Sequence, residues 1–195
     1  MEDVSRKMTN NKKTLRQEAL ARRDRMRQEQ RVIISQKLVD ELQKLLAILK
    51  GKTVAGFWPI KSEIDPRPIM LALKEHGFKL ALPAIIDKTT MVFRIFEDEG
   101  KLVDMGFGTV GPSEDAQIVT PETLLVPLSA FDSKGNRIGY GAGYYDRAIA
   151  SMRENGHNPL LIGLAFDCQE VPSIPAEPHD QKLAMILTES GLRSF

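Results

Sequence analysis

The feature that most constrains the fold of this chain is a series of short apolar runs, which are separated by segments of helical periodicity. A run such as TVAGFW, residues 53–58, is too short for a core helix and is rich in residues that favour strands. Strands that alternate with helices are typical of a largely parallel sheet covered by helices. The sequence therefore predicts a three-layer α/β fold. The predicted strands are residues 53–58, 79–83, 91–96, 123–128, 159–165 and 183–188.

Glycine and proline mark the limits of the predicted helices. Asp65 and Pro66 open one helix, and Gly51, Gly77 and Gly156 each follow the end of one. The predicted helices are residues 12–30, 31–49, 65–77 and 144–154. The connection 97–122 contains four glycines. Because so long a connection in a compact domain is usually functional or mobile, we expect it to close over ligands.

Residues 135–147, GNRIGYGAGYYDR, carry the strongest chemical signal. Gly139, Gly141 and Gly143 allow the backbone to approach a ligand closely, and the following helix directs a positive dipole end towards the same place. Asp146 offers an oxygen ligand that suits Mg²⁺. The spacing matches neither the Walker A loop nor the dinucleotide-binding fingerprint. The residues alone leave two interpretations open, an anion-binding loop or a glycine-rich hairpin whose tyrosines pack into the core.

Charge is unevenly distributed along the chain. The first 31 residues contain ten basic and five acidic side chains, whereas the whole chain has a net charge of +1. The basic segment has no aromatic residue and the remainder is acidic, which favours a small polyanionic ligand over nucleic acid. Cys168 is the only cysteine, and no apolar run is long enough for a membrane span. We therefore expect a cytoplasmic protein with no nucleic-acid or membrane partner.

Five motifs together resemble the 5-formyltetrahydrofolate cyclo-ligase family, also called 5,10-methenyltetrahydrofolate synthetase. The glycine-rich segment, preceded by Val126-Pro127-Leu128 and Phe131-Asp132, is similar to the family signature. The other matching motifs are KKTLR at 12–16, EID at 63–65, PAEPHD at 175–180 and LTE at 187–189. The resemblance covers roughly residues 12–189. It departs from the common pattern at Ala142, where many members have glycine and some have lysine, and we expect binding to survive if the φ of Ala142 is negative.

The resemblance implies a reaction and an architecture. The reaction is the ATP- and Mg²⁺-dependent cyclisation of 5-formyltetrahydrofolate to 5,10-methenyltetrahydrofolate, through phosphorylation of the formyl oxygen. The implied fold is similar to that of sugar-phosphate isomerases and CoA transferases. We expect one domain over 1–195, in which a helical pair, 1–50, packs on an α/β core, 51–195, and we expect a monomer. Alternatives are an isomerase- or CoA-transferase-like enzyme and a non-catalytic nucleotide- or RNA-binding module.

The resemblance also implies roles for individual residues. Arg137, Tyr144 and Asp146 are the predicted catalytic residues, and Asp146 and Asp180 are the predicted metal ligands. The predicted ATP-binding residues are Lys12, Lys13, Thr14, Leu15, Arg16, Arg137, Ile138, Gly139, Tyr140, Gly141, Ala142, Gly143, Tyr144 and Tyr145. The predicted folate-binding residues are Trp58, Glu63, Tyr140, Gly141, Ala142, Gly143 and Tyr144.

Overall fold

An eight-stranded mixed sheet forms the centre of the protein, in the order β12-β11-β10-β7-β1-β2-β3-β6. We describe it from a computed structural model, for residues 2–106 and 108–195, with side chains from residue 11 onward. The strands of this sheet are β1 (Thr53–Ala55), β2 (Lys79–Ile85), β3 (Met91–Ile95), β6 (Ile118–Val119), β7 (Thr123–Pro127), β10 (Leu160–Leu164), β11 (Met185–Thr188) and β12 (Gly191–Ser194).

The middle of the sheet is parallel and its edges are antiparallel. Strands β2, β1, β7, β10 and β11 run in parallel, with pairs such as Val54 opposite Leu80 and Ile162 opposite Leu125. Strand β3 is antiparallel to both β2 and β6, and β12 is antiparallel to β11. The predicted largely parallel sheet is therefore confirmed, and the hairpin strand β12 is an element that the sequence reading missed.

Alternate residues of each central strand enter cores on opposite faces of the sheet. Val54 packs with the helices that precede β1, together with α4 (Arg67–Glu75), whereas its neighbour Ala55 packs with α5 (Tyr144–Glu154). In β7, Leu125 enters the same core as Val54, and Leu124 enters the same core as Ala55. Because both faces are buried, the strands read as continuous apolar runs. The predicted three-layer arrangement is confirmed. The assignment of one domain, in which residues 1–50 pack on residues 51–195, stays a prediction.

The helical segment before the sheet differs from the prediction. Helix α1 covers Glu2–Asp24, and an extended Arg27 separates it from α2 (Gln28–Lys37). The chain continues through a 3₁₀ turn (Leu38–Glu41) into α3 (Leu42–Ile48). The predicted helices 12–30 and 31–49 are therefore wrong in their bounds, because apolar spacing continues across the breaks and no glycine or proline marks them. Across the described residues, no helix is long and apolar enough to span a membrane.

The connection 97–122 is structured rather than a plain loop. It contains a 3₁₀ turn (Glu99–Lys101), a hairpin of β4 (Leu102–Gly106) and β5 (Thr109–Pro112), and the edge strand β6. Gly111 allows β5 to lie directly on β2, since a Cβ there would come within 2.6 Å of the Pro83 carbonyl oxygen. Buried Arg94 donates to the Ser113 carbonyl at 2.7 Å and anchors the turn beyond the hairpin.

A second hairpin leads into the glycine-rich segment. It pairs β8 (Ala130–Phe131) with β9 (Arg137–Ile138), and α1 packs against β8 and against a 3₁₀ turn (Asp167–Gln169). Ala19, Ala130 and Ile138 form a small core there. This packing brings the first helix next to the glycine-rich segment, at the carboxyl ends of the parallel strands, which is where α/β proteins generally bind ligands.

Candidate active site

One cavity of about 1430 Å³ opens at this edge of the sheet. It is larger than the roughly 300–1,000 Å³ that holds one small ligand, so it has room for two. Its lining includes a set of apolar residues, here called the apolar part, namely Phe57, Trp58, Ile60, Pro83, Ile85, Met91, Met105 and Val110. It also includes a set of charged residues, here called the charged part, namely the basic residues Lys12, Lys13, Arg16, Lys61, Lys88, Arg137 and Arg147 and the acidic residues Glu63, Asp146, Glu177 and Asp180.

The glycine-rich loop, residues 139–143, borders the charged part. Gly141 and Gly143 have φ of 103° and 70°, a region that side chains rarely adopt, and Gly143 precedes the first residue of α5. The φ of Ala142 is not positive, so the alanine fits here without strain. The N-terminus of α5 opens at the loop, which favours an anion at this place.

Arg16 of α1 lies directly on this loop. Its Nε donates to the Gly139 carbonyl oxygen at 2.8 Å, and a Cβ on Gly141 would come within 3.3 Å of its guanidinium. Gly141 is therefore required both for its backbone conformation and for the space that Arg16 occupies. The expected association of the basic helix with the glycine-rich loop is present in the structure.

Asp132 holds the turn of the β8–β9 hairpin, which leads into the loop, a role that was not predicted from the sequence. Its carboxylate is 1% exposed and accepts hydrogen bonds from the amides of Lys134, Asn136 and Ile174 and from the Asn136 side chain. Burial raises the pKa of Asp132, but these hydrogen bonds outweigh it and hold the pKa below its usual range. The Phe131-Asp132 motif was the available signal, since a carboxylate before a glycine turn commonly accepts from the turn amides.

Arg137 and Asp146 form an ion pair across the loop. Arg137 Nη2 lies 2.8 Å from Asp146 Oδ1, and the Arg137 side chain is only 3% exposed. The same oxygen accepts from the Gln181 amide at 3.1 Å, which ties α5 to the segment that carries Asp180. No hydrogen bond from the described residues engages the other oxygen, Oδ2.

Lys12 holds the two acidic residues of the PAEPHD motif together. Its ammonium is 2.6 Å from Glu177 Oε2 and 2.6 Å from Asp180 Oδ2. Burial lowers the pKa of Lys12, but these two carboxylates raise it above its usual value overall. One ligand atom from each of Glu177, His179 and Asp180 lies within 4.8 Å of the others, and the Lys12 ammonium already contacts the two carboxylates. The sequence reading selected Asp180 and did not select Glu177.

Glu63 lies in a turn that lines the cavity. Its amide donates to the Ile60 carbonyl at 3.0 Å, and its Oε2 accepts from the Ile60 amide at 2.8 Å. Lys61 within the turn has a φ of 54°, an uncommon conformation for a residue with a side chain. Burial raises the pKa of Glu63, although the Ile60 amide, the Tyr140 hydroxyl and the charge of Arg23 oppose this shift.

The three tyrosines of the segment have different environments. Tyr140 lies near Glu63, whose charge, together with burial, raises the pKa of the Tyr140 hydroxyl. The Tyr144 hydroxyl donates to the Asp87 carbonyl at 3.3 Å. The Tyr145 ring packs edge-on against Phe93, and its buried hydroxyl has no hydrogen-bond partner among the described residues. Tyr145 thus also packs into the core, as the interpretation of this segment as a glycine-rich hairpin predicts for its tyrosines.

The remaining predicted residues divide between the cavity wall and its surroundings. Trp58 lines the cavity, with Phe96 at its edge and the Arg67 guanidinium 4.8 Å from its ring centre. Lys13 also lines the cavity, and Ile138 does so from the small core. Thr14 and Leu15 lie outside the cavity wall, Thr14 exposed and Leu15 packed against that core. Their role in ATP binding stays a prediction.

A family model described as the 5-formyltetrahydrofolate cyclo-ligase family matches residues 8–189. The chain belongs to this family. A 5-formyltetrahydrofolate cyclo-ligase from Escherichia coli K12 is 29% identical over 175 residues, which are 87% of this chain and 95% of that protein. The one from Haemophilus influenzae is 29% identical over 158 residues, covering 78% of this chain and 83% of that protein.

Solved structures of cyclo-ligases share the fold. A 5,10-methenyltetrahydrofolate synthetase from Aquifex aeolicus superposes with a TM-score of 0.78 at 28% identity, covering 94% of this chain and 92% of that one. A Mycoplasma pneumoniae 5,10-methenyltetrahydrofolate synthetase superposes with a TM-score of 0.68 at 26% identity, covering 90% of this chain and 96% of that one. The cyclo-ligase activity, which converts 5-formyltetrahydrofolate to 5,10-methenyltetrahydrofolate, and the use of ATP follow from membership of the family.

Proposed function

We propose that this cyclo-ligase phosphorylates its folate substrate in the described cavity, with Mg²⁺ as cofactor. The γ-phosphoryl group of ATP is transferred to the N5-formyl oxygen, and ADP leaves. N10 of the folate then attacks the formyl carbon, and the C–O bond breaks to release phosphate and the methenyl product. The protein contributes positioning of the two substrates and stabilisation of charge on the phosphoryl oxygens.

The presence of apolar and charged residues in the lining of one cavity is the observation that carries this proposal. A triphosphate needs convergent cations and backbone amides, and a pterin needs flat apolar contacts with a few polar groups. The glycine-rich loop lines the same cavity. Phosphoryl transfer requires the γ-phosphate and the formyl oxygen to meet, and this loop is the place where both ligands contact the protein.

The triphosphate binds in the charged part. Lys12, Lys13 and Arg16 of α1 and Arg137 of β9 supply positive charge, and the amides of residues 138–145 supply hydrogen-bond donors. Arg16 and Arg137 are already fixed by the Gly139 carbonyl and by Asp146. Charged groups that are held before the ligand arrives need no reorganisation during the reaction, which is the basis of electrostatic catalysis.

The folate binds against the apolar part and Glu63. Trp58 provides a flat surface, and Glu63 accepts hydrogen bonds from the amino and ring N–H groups of the pterin. Tyr140 and Tyr144 border the pterin at the loop. Arg137 and Tyr144 lie beside the transferred phosphoryl group in this arrangement, Arg137 as the source of charge and Tyr144 as part of the wall that excludes water.

Mg²⁺ fits the acidic residues between the loop and α1. Asp146 Oδ2 is free of hydrogen bonds from the described residues, and the Glu177, His179 and Asp180 cluster offers further ligand atoms. Magnesium usually binds one or two carboxylates together with phosphate oxygens and water. Asp146 and Asp180 would hold the ion next to the glycine-rich loop, where it would supply positive charge to the triphosphate.

Formation of the methenyl chromophore tests the proposed function. The purified protein is mixed with 5-formyltetrahydrofolate, and the near-ultraviolet absorbance of the product is followed. We expect turnover only when both ATP and Mg²⁺ are present, and we expect EDTA to abolish it and excess Mg²⁺ to restore it. Turnover without ATP would refute the phosphorylation step, and full turnover in EDTA would refute the metal. The monomeric state and cytoplasmic location stay predictions, which gel filtration and cell fractionation test.

A further inference from the structure

We propose that Arg23 is a positioning residue, which holds Glu63 and Tyr140 in place for the pterin and acts through Glu63. This inference rests on the proposed role of Glu63 in folate binding. In the sequence, Arg23 is one of the ten basic residues among the first 31, and nothing there distinguishes it from the others. In the structure its side chain is one of the largest that are fully buried, and the residue is 1% exposed.

The contacts of Arg23 join two walls of the cavity. Its Nε donates to Ser62 Oγ at 3.0 Å, and Ser62 immediately precedes Glu63. Its guanidinium carbon lies 5.9 Å from the centre of the Tyr140 ring. Ser62 donates in turn to the carboxylate of Asp24. Arg23 therefore connects the Glu63 turn to the glycine-rich loop from beneath the cavity.

Burial of the Arg23 guanidinium is unfavourable unless other groups compensate its charge. Arginine stays charged at any ordinary pH, and burial of an ion costs several kcal/mol unless partners compensate. Asp24 reaches Arg23 only through Ser62, and Glu63 is the acidic group of the cavity that its charge affects. Arg23 thus favours the ionised form of Glu63, the form that accepts hydrogen bonds from pterin N–H groups.

The groups around Glu63 define the expected pH effect. Arg23 of α1, Tyr140 of the loop and the Ile60 amide act on its charge, and Tyr145 of α5 experiences that charge. Burial raises the pKa of Glu63 and Arg23 lowers it. Loss of Arg23 therefore raises the pKa further, so the acid side of the kcat/KM profile for folate moves to higher pH.

Arg23→Met tests the inference, with Arg22→Met as the matched control. Arg22 lies on the same helix, but its Nε donates to the Cys168 carbonyl at 2.6 Å, away from Glu63. We expect Arg23→Met to raise the KM for 5-formyltetrahydrofolate about tenfold, roughly the loss expected when one hydrogen-bonded contact to the pterin is misplaced. The KM for ATP should stay within about twofold, and Arg22→Met should change neither. Arg23→Lys, which keeps the charge, should return the acid limb towards its original position.

A double-mutant cycle with Glu63→Gln separates positioning from mere structural support. Glu63→Gln alone should raise the folate KM, and adding Arg23→Met to it should have little further effect, because the carboxylate on which Arg23 acts is gone. An equal loss in both backgrounds would overturn the inference while leaving the proposed function intact. An unchanged folate KM in Glu63→Gln would overturn the proposed role of Glu63 itself. Should Arg23→Met fail to fold, Arg23→Gln, which keeps a donor for Ser62, carries the same tests.

Discussion

Asp146→Asn separates a structural contribution of this residue from a catalytic one. The substitution keeps the size of the side chain and leaves an amide oxygen for the Gln181 amide. It removes the negative charge opposite Arg137, whose side chain is 3% exposed and whose Nε already has no partner among the described residues. The variant should fold, but with an uncompensated buried guanidinium.

The loss of stability can be worked out from the exposure of the two partners. Breaking a fully buried ion pair from one side costs about 3–5 kcal/mol. The Asp146 side chain is 24% exposed, so water already screens part of the attraction. We therefore expect a loss of about 2 kcal/mol, which for a chain of this length lowers Tm by about 4–8 °C.

Two measurements on the same variant test these expectations. Thermal unfolding followed by circular dichroism gives the change in Tm, and formation of the methenyl chromophore well below that Tm gives activity. If Asp146 also binds Mg²⁺, most activity should be lost even where the variant is fully folded, since an amide is a poor ligand for this ion. Wild-type turnover would refute the metal role, and an unchanged Tm would refute the reasoning from the buried pair.

Three further predictions follow from the loop and its support. Arg16→Ala should raise the KM for ATP more than that for folate, and equal increases in steady-state kinetics would contradict a nucleotide-specific role. Gly141→Ala should weaken ATP binding in calorimetry far more than Gly139→Ala. The φ of Gly141 is 103° and a Cβ there would crowd Arg16, whereas a Cβ on Gly139 would meet nothing closer than 3.6 Å. Asp132→Asn should lower the free energy of urea unfolding by about 2–3 kcal/mol, since an amide cannot accept from all four donors. Because the pKa of Asp132 is lowered in the folded protein, its contribution is present above its unfolded pKa and is lost as pH falls towards the folded value, so wild type and variant should converge in acid.

Local sequence signals predicted the parallel core of this fold well. Helix α5 covers Tyr144–Glu154, as predicted, because a glycine with positive φ precedes it and Gly156 follows it. The central strands were placed to within one to three residues, since both of their faces are buried and their apolar runs are continuous. Helix breaks without glycine or proline, such as the one at Arg27, gave no comparable signal.

Local sequence patterns could not predict which charged residues of the site contact each other. Lys12 and Asp180 are 168 positions apart in the chain, and nothing in either motif indicates that they are in contact. Arg23 was indistinguishable from the other basic residues of α1, because burial of one arginine among many depends on how the helix packs. Family resemblance supplied the residues of the site, and only the structure supplied their partners.

Two cations of the cavity lining, Lys12 and Arg137, are paired with carboxylates before any ligand binds. Several basic side chains around one cavity would repel each other, and the acidic residues between them offset that repulsion. Lys12 is paired with Glu177 and Asp180, and Arg137 with Asp146, so these two cations are held in defined positions. In the proposed function the same carboxylates would suit Mg²⁺. A metal–triphosphate bound there would replace these charge pairs with new ones, and its negative charge would offset the excess of basic over acidic residues in the lining.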